Sequence, residues 1–223
     1  MMAAQRTVFV LNIDKGSDSE GLFESMYDPL MKEFKKNPLL SVTTIDSVTT
    51  FQTKISGSNW KESVLLCVNE FITKKPSLHQ IIKEFAMGGG LVIFGCLFSS
   101  FTTPVDIDAM FENLGVPWKN ADYYRTTFGI TEMGKMLLHG LDVEETYSAK
   151  ALQLSQVLPE QMLYKPVENA KTQSLVFAQA PANPNLALAA FMKIGSGAIA
   201  YIGDVNAERG SDRLTVALCL AKW

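Results

Sequence analysis

Apolar residues along this chain gather into short runs separated by longer amphipathic stretches, the pattern of buried strands alternating with surface helices. Residues 7–11, 64–68 and 91–94 are continuous apolar runs of the length and β-branched character of strands covered on both faces, and residues 41–45 form a weaker one. Between the strands, residues 20–36 place Leu22, Phe23, Met26, Leu30 and Phe34 at helical spacing, gather lysines in the last turn, and stop at Asn37-Pro38. Residues 77–87 carry Leu78, Ile81, Ile82 and Phe85 on one face and end in Gly88-Gly89-Gly90. Residues 106–114 predict a further helix, capped near Pro104, and Gly115-Val116-Pro117-Trp118 turns away from it. From about residue 120 the pattern loosens, with strands predicted at 149–154, 174–179, 186–192 and 197–202, the last two joined as a hairpin around Gly195-Ser196-Gly197, and a closing helix at 214–220. This alternation predicts an α/β fold in which helices cover both faces of a mainly parallel central sheet that ends in a C-terminal β-hairpin, as one domain over residues 1–223.

Composition narrows the function classes. The 223 residues are 47% hydrophobic and 19% charged, enough to bury a full core, and the net charge of −3 with no long basic run argues against nucleic acid or an anionic membrane as partner. A small-molecule ligand is the expected partner, with a homodimer as an open assembly. Residues 1–6 run into a strand without a leader-like apolar segment, and no apolar run approaches the ~18 residues of a membrane span, so the expected location is cytoplasmic. Three cysteines, Cys67, Cys96 and Cys219, are widely spaced in apolar sequence and argue for reduced thiols. With only His79 and His139, no metal site and no cofactor are expected.

The stretch Gly88-Gly89-Gly90-Leu91-Val92-Ile93-Phe94-Gly95-Cys96 predicts a helix stop, a buried parallel strand and a sharp bend at a cysteine. The glycines precede the strand, whereas phosphate-binding loops follow one, so they mark a tight turn. In open α/β sheets ligands bind beyond the carboxyl ends of the strands, which puts Cys96 where chemistry is usually found. Together with Leu137-Leu138-His139-Gly140-Leu141-Asp142 and the hairpin 195–203 followed by Asp204-Val205-Asn206-Ala207-Glu208, this stretch resembles the class I glutamine amidotransferase-like superfamily, within it the trehalose-utilisation (ThuA-like) proteins and the biotin-protein-ligase amino-terminal-like domains. The resemblance implies a flavodoxin-like three-layer sandwich. It also implies a nucleophilic cysteine in Gly-X-Cys-X-Gly, paired with a histidine and a glutamate after a late strand. Here Gly95-Cys96-Leu97-Phe98-Ser99 lacks the second glycine, and 203–208 holds no histidine. The resemblance therefore implies a degenerate triad: a protein that is not a glutamine amidotransferase, with Cys-dependent hydrolysis or carbonyl chemistry, a ThuA-like role in carbohydrate metabolism, or a catalytically inactive interaction domain as its readings.

The candidate catalytic residues are Cys96 as nucleophile, with Glu70 or Asp204 as acid/base. Candidate ligand-binding residues are Asn12, Asp14, Asn69, Gly95, Arg125, Asn206 and Glu208, all but Arg125 at or near strand ends. Lys15 joins them in the loop after the first strand, and Arg125, flanked by tyrosines and threonines, suits carboxylate or phosphate recognition. Each has a structural alternative. Cys96 reads more readily as a small buried hydrophobe, the 204–208 carboxylates as loop and helix caps and Arg125 as a salt-bridge partner, while Glu70 is equally readable as a solvated cap.

Overall fold

The computed structural model describes residues 5–13, 16, 18, 20–56, 60–174, 176 and 178–223. Candidates Asp14 and Lys15 lie outside the described residues. The elements are β1 (Arg6–Leu11), α1 (Leu22–Met26), α2 (Asp28–Lys36), β2 (Leu40–Ile45), α3 (Val48–Ser56), β3 (Val64–Cys67), α4 (Pro76–Met87), β4 (Leu91–Phe94), α5 (Phe98–Phe101), α6 (Pro104–Leu114), β5 (Lys119–Ile130), α7 (Glu132–Leu137), β6 (Thr146–Ser155), β7 (Met162–Pro166), β8 (Ala189–Ile194), β9 (Gly197–Ile202) and α8 (Arg209–Leu220).

The strands form one nine-stranded sheet in the order β2-β1-β3-β4-β9-β8-β7-β5-β6. Strands β2, β1, β3, β4 and β9 run parallel, whereas every neighbour from β9 through β8, β7 and β5 to β6 is antiparallel. The sheet is therefore mixed, and the expectation of a mainly parallel one is corrected. In the first half, helices between successive strands carry the chain back across the sheet, as parallel pairing requires, whereas β8 and β9 are joined by a tight hairpin at Gly195 that can only return the chain antiparallel.

Alternating residues of the parallel strands feed two cores. Val8, Val10, Leu66, Ile93 and Ala200 pack with Leu30, Phe34, Leu214 and Leu218 of α2 and α8. Leu65, Val92, Phe94 and Ile199 pack on the opposite face with Phe51, Ile82, Phe85, Met110 and Phe111 of α3, α4 and α6. Burial on both faces explains why these strands read as unbroken apolar runs. The Gly195 hairpin presses so closely on the end of α4 that a Cβ at Gly197 would sit 2.2 Å from the Gly90 carbonyl oxygen, which requires glycine there.

Two further expectations are revised. The helix anticipated over 20–36 is two helices meeting at Tyr27, because Pro29 at the second position of α2 has no N–H to continue the first. Of residues 174–179, 175 and 177 lie outside the described residues, and the described remainder is not a strand. Among the described residues, no helix is long and apolar enough to cross a membrane.

Candidate functional site

The carboxyl ends of β1, β3, β4 and β9 carry most of the candidate residues, and the fold sorts these into three groups. The first lies between β1 and β3, where the strand order reverses and where ligands of such sheets bind. Asn69 Nδ2 donates to Asn12 Oδ1 at 2.9 Å, and Asn12 Nδ2 donates to Glu24 Oε1 at 3.0 Å. Glu70 is fully buried and accepts the Asp18 N–H at 2.9 Å, while Lys74 lies 3.8 Å from the same carboxylate and 3.0 Å from Asp18. The Asp18 N–H and the Lys74 ammonium thus already engage the Glu70 carboxylate at this crevice. Asn69 also caps the short 3-10 turn after it by accepting the Phe71 N–H.

The second group gathers around Cys96. Its backbone has φ 59, a left-handed conformation that a non-glycine residue adopts at a cost of about 1–2 kcal/mol and that clusters at functional turns. The bend is locked: the Gly95 N–H donates to Cys67 O at 3.2 Å, the Gly95 carbonyl accepts from the Phe98 N–H at 3.1 Å, and Ser99 Oγ donates to Ile202 O at 3.0 Å. The elbow anticipated from sequence is present. The residue, however, is only 7% exposed and belongs to the same buried core as Phe23, Tyr27 and Leu97. Burial first, then the charges of Asp212 and Asp204 and the neighbouring Cys219, push this thiol well above the ordinary range. Such a cysteine rests protonated. We expect Cys96 in native protein at pH 7 to react with iodoacetamide no faster than Cys67 and Cys219, both fully buried; mass spectrometry showing fast, selective modification with a midpoint below ~8.5 would contradict this.

Asp204 follows β9, is 3% exposed, and accepts the N–H groups of Asn206 (2.9 Å) and Glu208 (2.7 Å), so it also does the loop-capping work of an aspartate before a helix. Burial raises its pKa against the lowering effect of those hydrogen bonds. One turn further on, Asp212 in the first turn of α8 is raised to about 7, by burial first and then by the charge of Asp204. Burial, with the charge of Asp204 acting through space, thus holds the Asp212 proton toward neutrality. Tyr147 lies over the start of α8, where a Cβ at Gly210 would come within 2.5 Å of its ring, and its hydroxyl pairs with Ser211 Oγ at 3.1 Å. Tyr27, 2% exposed, carries a hydroxyl with no hydrogen-bond partner among the described residues. Asp212 lines a cleft of ≈ 690 Å³ between α2 and α8, shared with Arg209, Arg213 and Asp142.

The third group flanks the same 204–208 loop on its other side. Arg125 Nη2 meets Glu208 Oε1 at 2.5 Å, and Nη1 reaches Ser148 Oγ at 3.4 Å. With its amide oxygen turned toward the guanidinium, Asn206 accepts from Arg125 Nη2 at 2.8 Å and donates to Val205 O at 3.1 Å. The structure thus joins Cys96 with Asp204, and Arg125 with Asn206 and Glu208, but keeps Asn12, Asn69 and Glu70 in a separate crevice.

Asp212, Tyr27, Tyr147 and Ser211 were not anticipated. Asp212 was within reach of the sequence had α8 been started at Arg209, because an aspartate in a first helical turn behind a strand end is a recognisable signal. The histidines stay outside these groups. His139 is exposed, and His79 is buried with Nε2 on Ile72 O at 2.9 Å and Nδ1 facing Asn113 Nδ2 at 3.1 Å, a structural role; burial lowers its pKa. Among the described residues no three His, Cys, Asp or Glu side chains are placed to hold a metal ion.

No family model and no curated protein matches this chain. Solved structures do. A ThuA-like protein from Bacteroides uniformis matches with TM-score 0.57 at 9% identity, covering 97% of this chain and 91% of that one. A ThuA-like protein from Parabacteroides merdae matches with TM-score 0.51 at 10% identity over 96% of this chain and 88% of that one. A cytoplasmic protein from Salmonella typhimurium LT2 matches with TM-score 0.51 at 11% identity over 98% of this chain and 100% of that one. At such low identity the likeness bears on architecture alone, and it shows that this chain is built on a fold shared with ThuA-like proteins.

Proposed function

We propose that this chain is a ThuA-like, cytoplasmic small-molecule protein of the glutamine amidotransferase-like superfamily, that it is not an amidotransferase, and that it takes a polyhydroxylated ligand at Asp212 with Asp212 as the proton-carrying group. The observation that carries the reading is the placement of Asp212 in the cleft between α2 and α8 with Arg209, Arg213 and Asp142, where burial first and then the charge of Asp204 raise its carboxyl to about 7. A carboxyl group poised there can give a proton to a ligand oxygen and take one back near neutral pH, which is what general acid and base catalysis needs. Carboxylates and arginines of both signs around one cleft suit hydroxyl groups, which donate and accept. The ThuA-like resemblance supports a ligand from carbohydrate metabolism. The superfamily's cysteine-histidine chemistry has little support: the 203–208 segment lacks a histidine and the thiol is held protonated.

A second reading is favoured by the left-handed φ of Cys96. In it, the Cys96 thiol passes its proton to the Asp204 carboxylate as its sulfur adds to a carbonyl carbon, the C=O electron pair moves to the oxygen, and that oxygen takes the proton back from Asp204 to give a hemithioacetal. The test of the first reading is ligand-observed NMR with trehalose, glucose and myo-inositol from pH 5 to pH 9. Binding that changes across pH 7 and weakens at least 10-fold in Asp212→Asn, with that variant folded, is the expected result. No binding of any of these probes, or equal binding by the variant, would overturn the polyhydroxylated-ligand reading.

A further inference from the structure

The ribbon of β5 and β6 carries a feature that the carboxylate pair does not use. Arg125 and Lys150 stand directly opposite each other in the antiparallel register, so two cations share one face of the ribbon. Like charges placed opposite are unfavourable unless an anion lies between or beside them. Arg125 has one, Glu208 at 2.5 Å. Lys150 forms no ion pair among the described residues, and its ammonium instead rests 4.7 Å from the centroid of the Tyr123 ring. That ring is 52% exposed, a large aromatic face left at the surface. Arg125, Lys150 and Tyr123, together with Gln173 and Gln179, line a cleft of ≈ 1010 Å³, far larger than a single inorganic ion needs. Two cations against the one carboxylate that Arg125 pairs with leave this cleft net positive on a chain whose net charge is −3.

We propose that this cleft is a second ligand site, and that it takes a small hydroxylated organic anion whose carboxylate or phosphate sits at Lys150 and Arg125 and whose ring lies along Tyr123. An anionic group there relieves the cross-strand repulsion that Glu208 meets on one side only. The cation–π contact holds the ammonium at the mouth of the cleft, so little side-chain freedom is lost when the anion arrives. The amides of Gln173 and Gln179 and the Tyr123 hydroxyl supply donors and acceptors for ligand hydroxyls. The site lies across the 204–208 loop from Asp212 and stands independently of the function proposed for that residue.

The test is titration of the ¹⁵N-labelled full chain with glucuronate, glucose 6-phosphate, inorganic phosphate and neutral glucose, followed by NMR, in the wild type and in Lys150→Met, Lys150→Arg and Tyr123→Ala. Expected are shifts at Tyr123, Arg125 and Lys150 with glucuronate or glucose 6-phosphate, weakened at least 10-fold in Lys150→Met and by added salt, and restored in Lys150→Arg. Binding of one anion and not the other identifies the carboxylate or the phosphate as the recognised group. Asp212→Asn, which disables the other cleft, leaves this binding within 2-fold, so the two readings fail separately. No shift with either organic anion, equal binding by Lys150→Met, or inorganic phosphate binding as tightly as glucose 6-phosphate would overturn the proposal.

Discussion

Replacing Trp118 by alanine is expected to remove about 3–5 kcal/mol of stability. Trp118 is fully buried where the end of α6 turns into β5. Its ring stands edge-on to Phe111 at 5.6 Å, and Phe111 in turn meets Phe94 at 5.9 Å and Tyr201 at 6.0 Å, so one aromatic chain links α6 to the two central strands β4 and β9. The indole N–H donates to Gln161 Oε1 at 2.9 Å, tying that chain to the start of β7. Alanine leaves a large cavity between close-packed rings and frees the Gln161 amide. For a domain of this size, 3–5 kcal/mol lowers Tm by roughly 6–20 °C, to be read by calorimetry and urea unfolding. A loss below about 1 kcal/mol would mean that the aromatic chain does not join the layers.

Asp204→Asn is expected to act twice. The carboxylate accepts two backbone N–H groups, through Oδ1 and Oδ2. Asparagine offers one oxygen, so one of these part-buried N–H groups loses its partner, at a cost of about 1 kcal/mol. The substitution also removes the charge that helps hold the proton on Asp212, so the midpoint of Asp212 falls, although burial, the larger cause, keeps it above the ordinary carboxylate value of 3.8. The sign of the pH effect follows. Folded, Asp212 keeps its proton up to about pH 7; unfolded, it loses it near 3.8, so between these values the native state binds more protons and stability falls as pH rises. Asp204, also raised by burial, contributes in the same direction. Urea unfolding at pH 5 and pH 8 should show wild type losing stability toward pH 8, with a shallower loss in Asp204→Asn. A variant as steep as wild type would show that the two carboxylates are not coupled.

The parts of the fold that were legible are those where burial leaves a mark in the sequence. β4 and β9 were located to the residue because apolar runs bounded by glycines have few other readings. β5 was missed for the opposite reason: Lys119-Asn120-Ala121-Asp122-Tyr123-Tyr124-Arg125 is polar because that end of the strand belongs to a solvent-facing ribbon, where pairing is set by the partner strand. Missing it concealed the opposition of Arg125 and Lys150, which exists only in the register. Cys96 and Asp204 were legible because each directly follows a parallel strand. That Glu70 is spent on the Asp18 N–H depends on a contact across 52 positions of sequence, which no periodicity encodes. The first turn of α8, Arg209-Gly210-Ser211-Asp212, has no apolar residue to announce a helix, and the Asp212 carboxylate was overlooked with it.

Burial and the charge of Asp204 together hold the Asp212 proton toward neutrality. The most direct measurement is a carboxyl ¹³C NMR titration of aspartate-labelled protein, with Asp212→Asn to assign the resonance. A midpoint near 7 for Asp212 that falls in Asp204→Asn is the predicted result. A midpoint near the ordinary value of about 3.9, or one indifferent to Asp204, would contradict the account.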